Sequence, residues 1–295
     1  MTASPPTAVL AAQAEVKTSR GHALRQIFSK RSTIIGLIML VFVLLITILG
    51  PILAPYDISK NVGTFFEAPS AKAWLGTDYL GRDVLSRVLH GGVTVVTMSV
   101  LAATLGTVLG AALGMTAAYR RGIVDEVIMR ISDVLLALPL IVFVLLLVAV
   151  FGHELWLLVL LIGISHAPQV ARVVRGVAVE VREREFVEYG RSLGASGTRM
   201  VFTQILPNIS TPLLVEYGLR IVWSIAAFAS LSVLGQGVQA PMADWGLMVN
   251  ENRQSMIAGQ PLSVLVPLLM IAVFALAVNL ITDGISSHVA RGGDA

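Results

Sequence analysis

Glu216 and Arg220 stand four residues apart inside an otherwise uncharged apolar run, Ile209 to Leu234. An acid and a base at that spacing share one face of a helix, where they neutralise each other or present charge to whatever passes that face. Counted from Pro207 at about 1.5 Å per residue, they lie about 13 and 20 Å into the run. Each isolated charge at such depth in hydrocarbon costs roughly 2.5 to 3.5 kcal/mol, so the pair is expected to turn away from lipid. Two roles stay open for it. It is either a structural pair, satisfied by itself or by a neighbouring subunit, or part of a translocation path that contacts a charged solute.

Other chemistries lack their residues. The chain has no cysteine, which removes thiolate metal sites, disulfides and a cysteine nucleophile. Its five histidines, His22, His90, His153, His166 and His288, are scattered, and neither H-E-x-x-H nor G-x-S-x-G occurs. His166, near Pro168 toward the end of an apolar run, reads as a packed interfacial histidine, with a place on a path as the lesser alternative. No G-x-x-x-x-G-K-[ST] is present to cradle nucleotide phosphates, so energy from ATP would have to enter through another polypeptide. No catalytic or metal-ligating residue is assigned.

Helices crossing a bilayer are the elements that must position these residues. Hydrophobic residues make up 56% of the 295 and charged residues only 13%, a balance outside the range of water-soluble domains. The chain is therefore read as an all-α integral membrane protein with no nucleic-acid partner. Six runs are long and apolar enough to cross roughly 30 Å of hydrocarbon. They are Ile34 to Leu53, Gly91 to Ala118, Val134 to Gly152, Leu155 to Ala171, Ile209 to Leu234 and Pro261 to Thr282. An interior N-terminus puts fifteen Lys and Arg residues on the cytoplasmic side and five outside, so both termini are expected in the cytoplasm.

The expected organisation has a cytoplasmic segment 1–32, a first transmembrane helix 33–55 that is not a cleaved signal, and an extracytoplasmic segment 56–90. A five-helix core 91–284 follows, holding a cytoplasmic loop 176–208, and then a cytoplasmic tail 285–295. Residues 1–20 read as disordered and Arg25 to Arg31 as a basic topology signal against anionic lipid. Gly106, Gly110 and Gly114 repeat every four residues, a spacing that lets helix backbones approach closely. Residues 78–89 set Leu80, Val84, Leu85 and Val88 against Asp83, Ser86 and Arg87, the pattern of a short helix lying in the outer interface.

Between the fourth and fifth runs lies EFVEYGRSLGASGTRMVFTQILPN, Glu185 to Asn208. Phe186, Tyr189, Gly190 and Leu193 recur at i, i+3, i+4 and i+7, on one face of a helix. Gly194 is a natural stop, Ser196 a cap for a second short helix through Met200, Val201 and Ile205, and Pro207, after Leu206, a break before the fifth span. The apolar stripe of such an element needs a groove or a lipid surface to cover it.

With Glu188 six residues before Gly194 and thirteen more to Pro207, this segment resembles the EAA loop of permease subunits in bacterial ATP-binding-cassette importers. Glu188-Tyr189-Gly190 stands where that family usually has Glu-Ala-Ala. WLGTDYLGRDVLSRVLHGG, residues 74–92, closely resembles the segment after the first span in the C-type permeases of dipeptide, oligopeptide and nickel importers. VDEVIMRISDVLLALPLIV, ARVVRGVAVEVREREFVE, LSVLGQGVQAPMADWG and NLITDG are similar to further segments of that subfamily, in order, across roughly residues 30–285.

The resemblance implies a type I importer permease fold of six transmembrane helices in the bacterial inner membrane. It implies that Phe186, Glu188, Tyr189, Gly190, Leu193, Gly194, Ala195, Ser196, Ile205, Leu206 and Pro207 belong to a coupling loop that docks in a cleft of a cytoplasmic ATPase. The implied partners are a homologous second permease, two ATPase subunits that bind ATP and Mg, and an extracytoplasmic substrate-binding protein visiting a mouth framed by 78–89 and 235–260. The chain itself is expected to hold no cofactor. Di- or oligopeptides are the expected cargo, with nickel chelates, glutathione or another small solute as alternatives. A self-sufficient secondary transporter would need coupling charges in several spans, and only the fifth has an internal pair.

Overall fold

The computed structural model describes residues 30–292, so the readings made for 1–29 and for the last three residues lie outside it. The architecture is helical. Two isolated bridges, Asn61 with Arg82 and Thr77 with Asp83, are the β-type pairings among the described residues. Among the described residues five helices are long and apolar enough to cross a membrane alone, and one pair of helices reaches that length and apolarity only together, bent at a break between them.

Helix α1 (Arg31–Leu53) carries Thr33, Gly36, Val43, Thr47 and Gly50 on its buried stripe, packs Leu40, Leu44 and Ile46 against the core, and turns Ile34, Ile38, Phe42, Leu45, Ile48 and Ile52 outward. Lipid is the solvent for that outward face. Helix α2 (Val84–Arg120) starts where the Asp83 carboxylate accepts the Ser86 N–H at 2.8 Å and its hydroxyl at 2.6 Å, an N-cap that fixes the entry point. The expected interfacial helix over 78–89 is therefore not a separate element. Residues 84–89 are the first turns of α2, and 78–83 form the turn that caps it. Val84 and Val88 are buried because Trp245 packs there and donates its indole N–H to the Val88 carbonyl at 2.8 Å.

The expected third span, Val134 to Gly152, is broken. Helix α3 (Gly122–Ala137) and helix α4 (Leu140–Phe151) meet at 85°. Pro139 is the cause: it disfavours helical geometry in Leu138, whose backbone is extended at ψ 127°, and it has no N–H to continue the ladder. Helix α5 (Leu155–Arg182) runs three turns past the expected end at Ala171, which places His166 in mid-helix. Arg172 pairs with Asp133 and Arg175 with Asp125, tying α3 along α5.

The glycine repeat of α2 has a packing role. Helices α2 and α5 run side by side in the same direction. A Cβ added at Gly106, Gly110 or Gly114 would lie 2.7, 2.6 or 2.6 Å from the carbonyl oxygens of Gly163, Ala167 and Ala171. Only a hydrogen fits at these three positions, and the backbones are correspondingly close.

After α5 come helix α6 (Glu185–Ser192), helix α7 (Gly197–Met200), a π-helical turn (Val201–Ile205) and helix α8 (Leu206–Val233). Pro207 does not break the chain before the fifth span, as its position suggests. It sits in the first turn of α8, and the widened turn before it absorbs the missing N–H and the bulk of the ring. Helix α9 (Trp245–Glu251), a 3₁₀ turn (Arg253–Met256) and helix α10 (Leu262–Gly292) complete the chain. The bundle thus has an α6 end, where α2 and α5 finish and α8 begins, and an α9 end, which also carries residues 54–83.

Candidate functional site

At the α6 end, helix and turn are held by local backbone chemistry. The Ala195 N–H donates to the Gly190 carbonyl at 3.2 Å, and Gly194 has φ +78°, the pattern of a helix stop made by a left-handed residue. A Cβ at Gly194 would meet nothing within 4 Å, so the glycine is required by its dihedral and not by crowding. The Ser196 hydroxyl accepts the Arg199 N–H at 3.4 Å, at the long limit of a cap.

The expected stripe divides in two. Phe186, Tyr189 and Leu193 are exposed, the last two by 68% and 71%, and Glu188, Gly194, Ser196 and Pro207 are exposed beside them. Gly190 instead faces inward. A Cβ there would come within 2.8 Å of the Gln204 amide and 3.1 Å of the Met200 sulfur. Val187, outside the stripe, is buried, as are Met200 and Ile205 beyond the turn. Ala195 and Leu206 are half-buried. One side of α6 is thus anchored to the π turn that leads into α8, and the other carries three large apolar side chains with no neighbour in the described chain covering them.

Midway along the bundle lies the intramembrane pair. Arg220 Nη2 and Glu216 Oε2 are 3.4 Å apart, and Glu216 Oε2 has no hydrogen-bond partner, so the contact is an ion pair without a hydrogen bond. Arg220 is 6% exposed and also donates from Nη1 to the Gln169 side-chain oxygen. Buried His166 contacts the Ser224 hydroxyl through Nε2 at 3.0 Å. Arg220, Gln169 and His166 share the wall of one cavity of about 270 Å³, located where α3 breaks into α4. The sequence places Glu216 and Arg220 on one helix, but it has no signal for Gln169.

A third cluster lies at the α9 end. Arg82 Nε meets Asp78 Oδ2 at 2.7 Å, and Arg82 and Arg87 both reach Glu251 Oε2, at 3.2 and 2.8 Å. The Tyr79 hydroxyl donates to Glu251 Oε1 at 3.1 Å, and the Tyr79 N–H donates to Asn252. Arg82 and Arg87 count in the charge tally as outer-loop residues, yet both are buried and paired across more than 160 positions of chain. Burial and the nearby Glu251 carboxylate push the Tyr79 phenol up. Asp244, which caps α9 by accepting the Leu247 N–H at 2.9 Å, is pushed up to about 6 by burial.

Comparison with known proteins gives one consistent set of relatives. Residues 106–292 match the family described as binding-protein-dependent transport system inner membrane component. Residues 20–69 match the N-terminal transmembrane domain of oligopeptide transport permease C. The chain is 37% identical over 235 residues to the glutathione transport system permease protein GsiD of Pectobacterium atrosepticum, covering 79% of this chain and 78% of that one. It is 34% identical over 265 residues to the dipeptide transport system permease protein DppC of Alkalihalophilus pseudofirmus, covering 90% and 87%. Among solved structures, a chain of the MetNI methionine ABC transporter in an inward-facing conformation superposes with a TM-score of 0.56 at 14% identity. That match covers 68% of this chain and 96% of the other.

Proposed function

This chain belongs to the family of binding-protein-dependent transport system inner membrane components, and from that premise we propose that it forms half of the translocation path of an ATP-driven importer. The carrying observation is the exposed stripe of Phe186, Tyr189 and Leu193 on a short helix anchored to the start of α8. A stripe of that kind outside the bilayer fits the cleft of a partner protein. On this reading α6 docks in a cytoplasmic ATPase, Glu188 holds the docked segment, and ATP binds to that partner. Movement of the ATPase is passed through Val187, Met200 and Ile205 into α5 and α8 as a rigid-body tilt, and two packings of the bundle alternate access.

The α6 end then faces the cytoplasm, and the α9 end faces a substrate-binding protein. A second, homologous permease closes the path on the open side of the bundle. The cargo is a small peptide, since the relatives named above carry dipeptide and glutathione in their names and both compounds are short peptides. Purification of the tagged chain from its native membrane tests the assembly: two ATPase chains and a second permease should accompany it. Recovery of the chain alone, with no ATPase under any mild detergent, would overturn the reading.

A further inference from the structure

The cavity at the α3–α4 break is asymmetric in charge. Arg220 is in its wall, and Glu216, its counter-ion, is not. The guanidinium is held from behind by an ion pair at 3.4 Å, its Nη1 is used on Gln169, and its Nε has no hydrogen-bond partner among the described residues. Gln169 accepts that bond through its oxygen, which leaves its amide N–H groups as donors. Ser165 spends its proton on the Leu161 carbonyl. The polar wall is thus one cation, one amide and the His166 ring, whose Nε2 is engaged with the Ser224 hydroxyl. The opposite wall, Leu136, Pro139 and Phe143, is apolar. The carbonyl end of α3 and the N–H end of α4 meet at the same break, so their opposite partial charges offset there and the guanidinium sets the sign of the field. Arg220 stands near the middle of α8 and His166 near the middle of α5, which puts the cavity midway along the bundle, beside a helix break of the kind that holds substrate in transporters.

We infer that this cavity is a carboxylate-binding station on the translocation path, where the Arg220 guanidinium and the Gln169 amide take the terminal carboxylate of a peptide as it passes. The inference rests on the peptide-importer reading, and it explains how one permease type serves dipeptides and glutathione alike, since every unblocked peptide ends in a carboxylate. A guanidinium binds that group through two parallel hydrogen bonds. The looseness of the Glu216 contact suits a transient role, because a station must release what it binds.

The absence of cysteine from the chain makes a direct test possible. In the complete importer, Ser165→Cys places a single thiol of this subunit in the cavity wall. Its labelling by sulfonatoethyl methanethiosulfonate, an anion, is compared with labelling by the trimethylammonium analogue, a cation. The expected result is an anion-to-cation rate ratio that falls roughly tenfold on adding Glu216→Gln with Arg220→Gln, a pair of changes that leaves the net charge unaltered; one charge-assisted contact is of that scale. An equal ratio in the two proteins would overturn the station and leave the cargo reading standing. A second arm measures uptake of alanylalanine and glutathione, with a rise of roughly tenfold in apparent KM expected for the doubly neutral variant. Failure of the unaltered importer to take up either compound would sink the peptide reading and the carboxylate assignment together.

Discussion

Gly194 shows how a single dihedral can shape an exposed element. At φ +78° a β-branched side chain is strained by about 1 to 3 kcal/mol, whereas asparagine tolerates the left-handed region. Gly194→Val should therefore displace α6 and uncouple ATP hydrolysis from uptake, while Gly194→Asn retains coupling. Since a Cβ there meets nothing, equal loss in both variants would mean that crowding by the docked partner, and not the turn, governs the position. Asp244 makes a different residue-scale prediction. Burial raises its folded pKa to about 6, above the ordinary 3.8, so the folded state keeps a proton that the unfolded chain gives up. Its contribution to stability is complete below about 3.8 and is lost as pH rises toward 6. Asn caps a helix as well as Asp does, so Asp244→Asn should preserve the α9 cap. The Asn variant's melting temperature should gain relative to the unaltered protein as pH rises from about 4 to about 6, and parallel curves across that window would refute the assignment.

Among the elements, the α2–α5 contact and the α3–α4 break differ in how openly the chain announces them. Glycines at a spacing of four are a visible pattern, and the structure uses it for close approach. Gly110→Ala brings a Cβ to 2.5 Å from Val170 and 2.6 Å from the Ala167 carbonyl, which should destabilise by about 1 to 3 kcal/mol. Gly176→Ala, on an exposed face of α5 with nothing within 4 Å, should instead stabilise by about 0.5 to 1 kcal/mol. Thermal unfolding of the two variants checks both signs. The break at Pro139 is less open to inspection, because hydropathy alone sees an unbroken apolar run from Val134 to Gly152. A proline ends one helix wherever its neighbours allow it, and here the two halves leave the cavity as their product.

For the whole molecule, the exposed stripe on α6 and the buried ionic cluster at the α9 end are opposite cases. Leu193 is 71% exposed, so Leu193→Asp should leave the fold of the chain intact. It should also abolish co-purification of the ATPase, as truncating an interface anchor costs about 2 kcal/mol or more. Retention of the ATPase by that variant would place the docking face elsewhere. Glu251 accepts from Arg82, Arg87 and Tyr79, so Glu251→Gln leaves two buried guanidinium groups short of a counter-charge. That loss should cost about 3 to 5 kcal/mol, seen as a lowered melting temperature of the chain.

The sequence by itself determined the class of the protein, five of its long apolar helices, the glycine seam, the helix stop at Gly194 and the i,i+4 ion pair. Each of these is written in local spacing, and local spacing is what hydropathy, caps and helical periodicity report. Tertiary structure alone decided which side of α6 is anchored, that Arg82 and Arg87 are buried, and that Gln169 stands beside Arg220 while Glu216 turns away from the cavity. The anchored side of α6 depends on Met200 and Gln204 beyond the glycine turn, and the ionic contacts depend on partners 51 to 169 positions apart. The distance in the chain between such partners carries no period, and only the packing of helices brings them together.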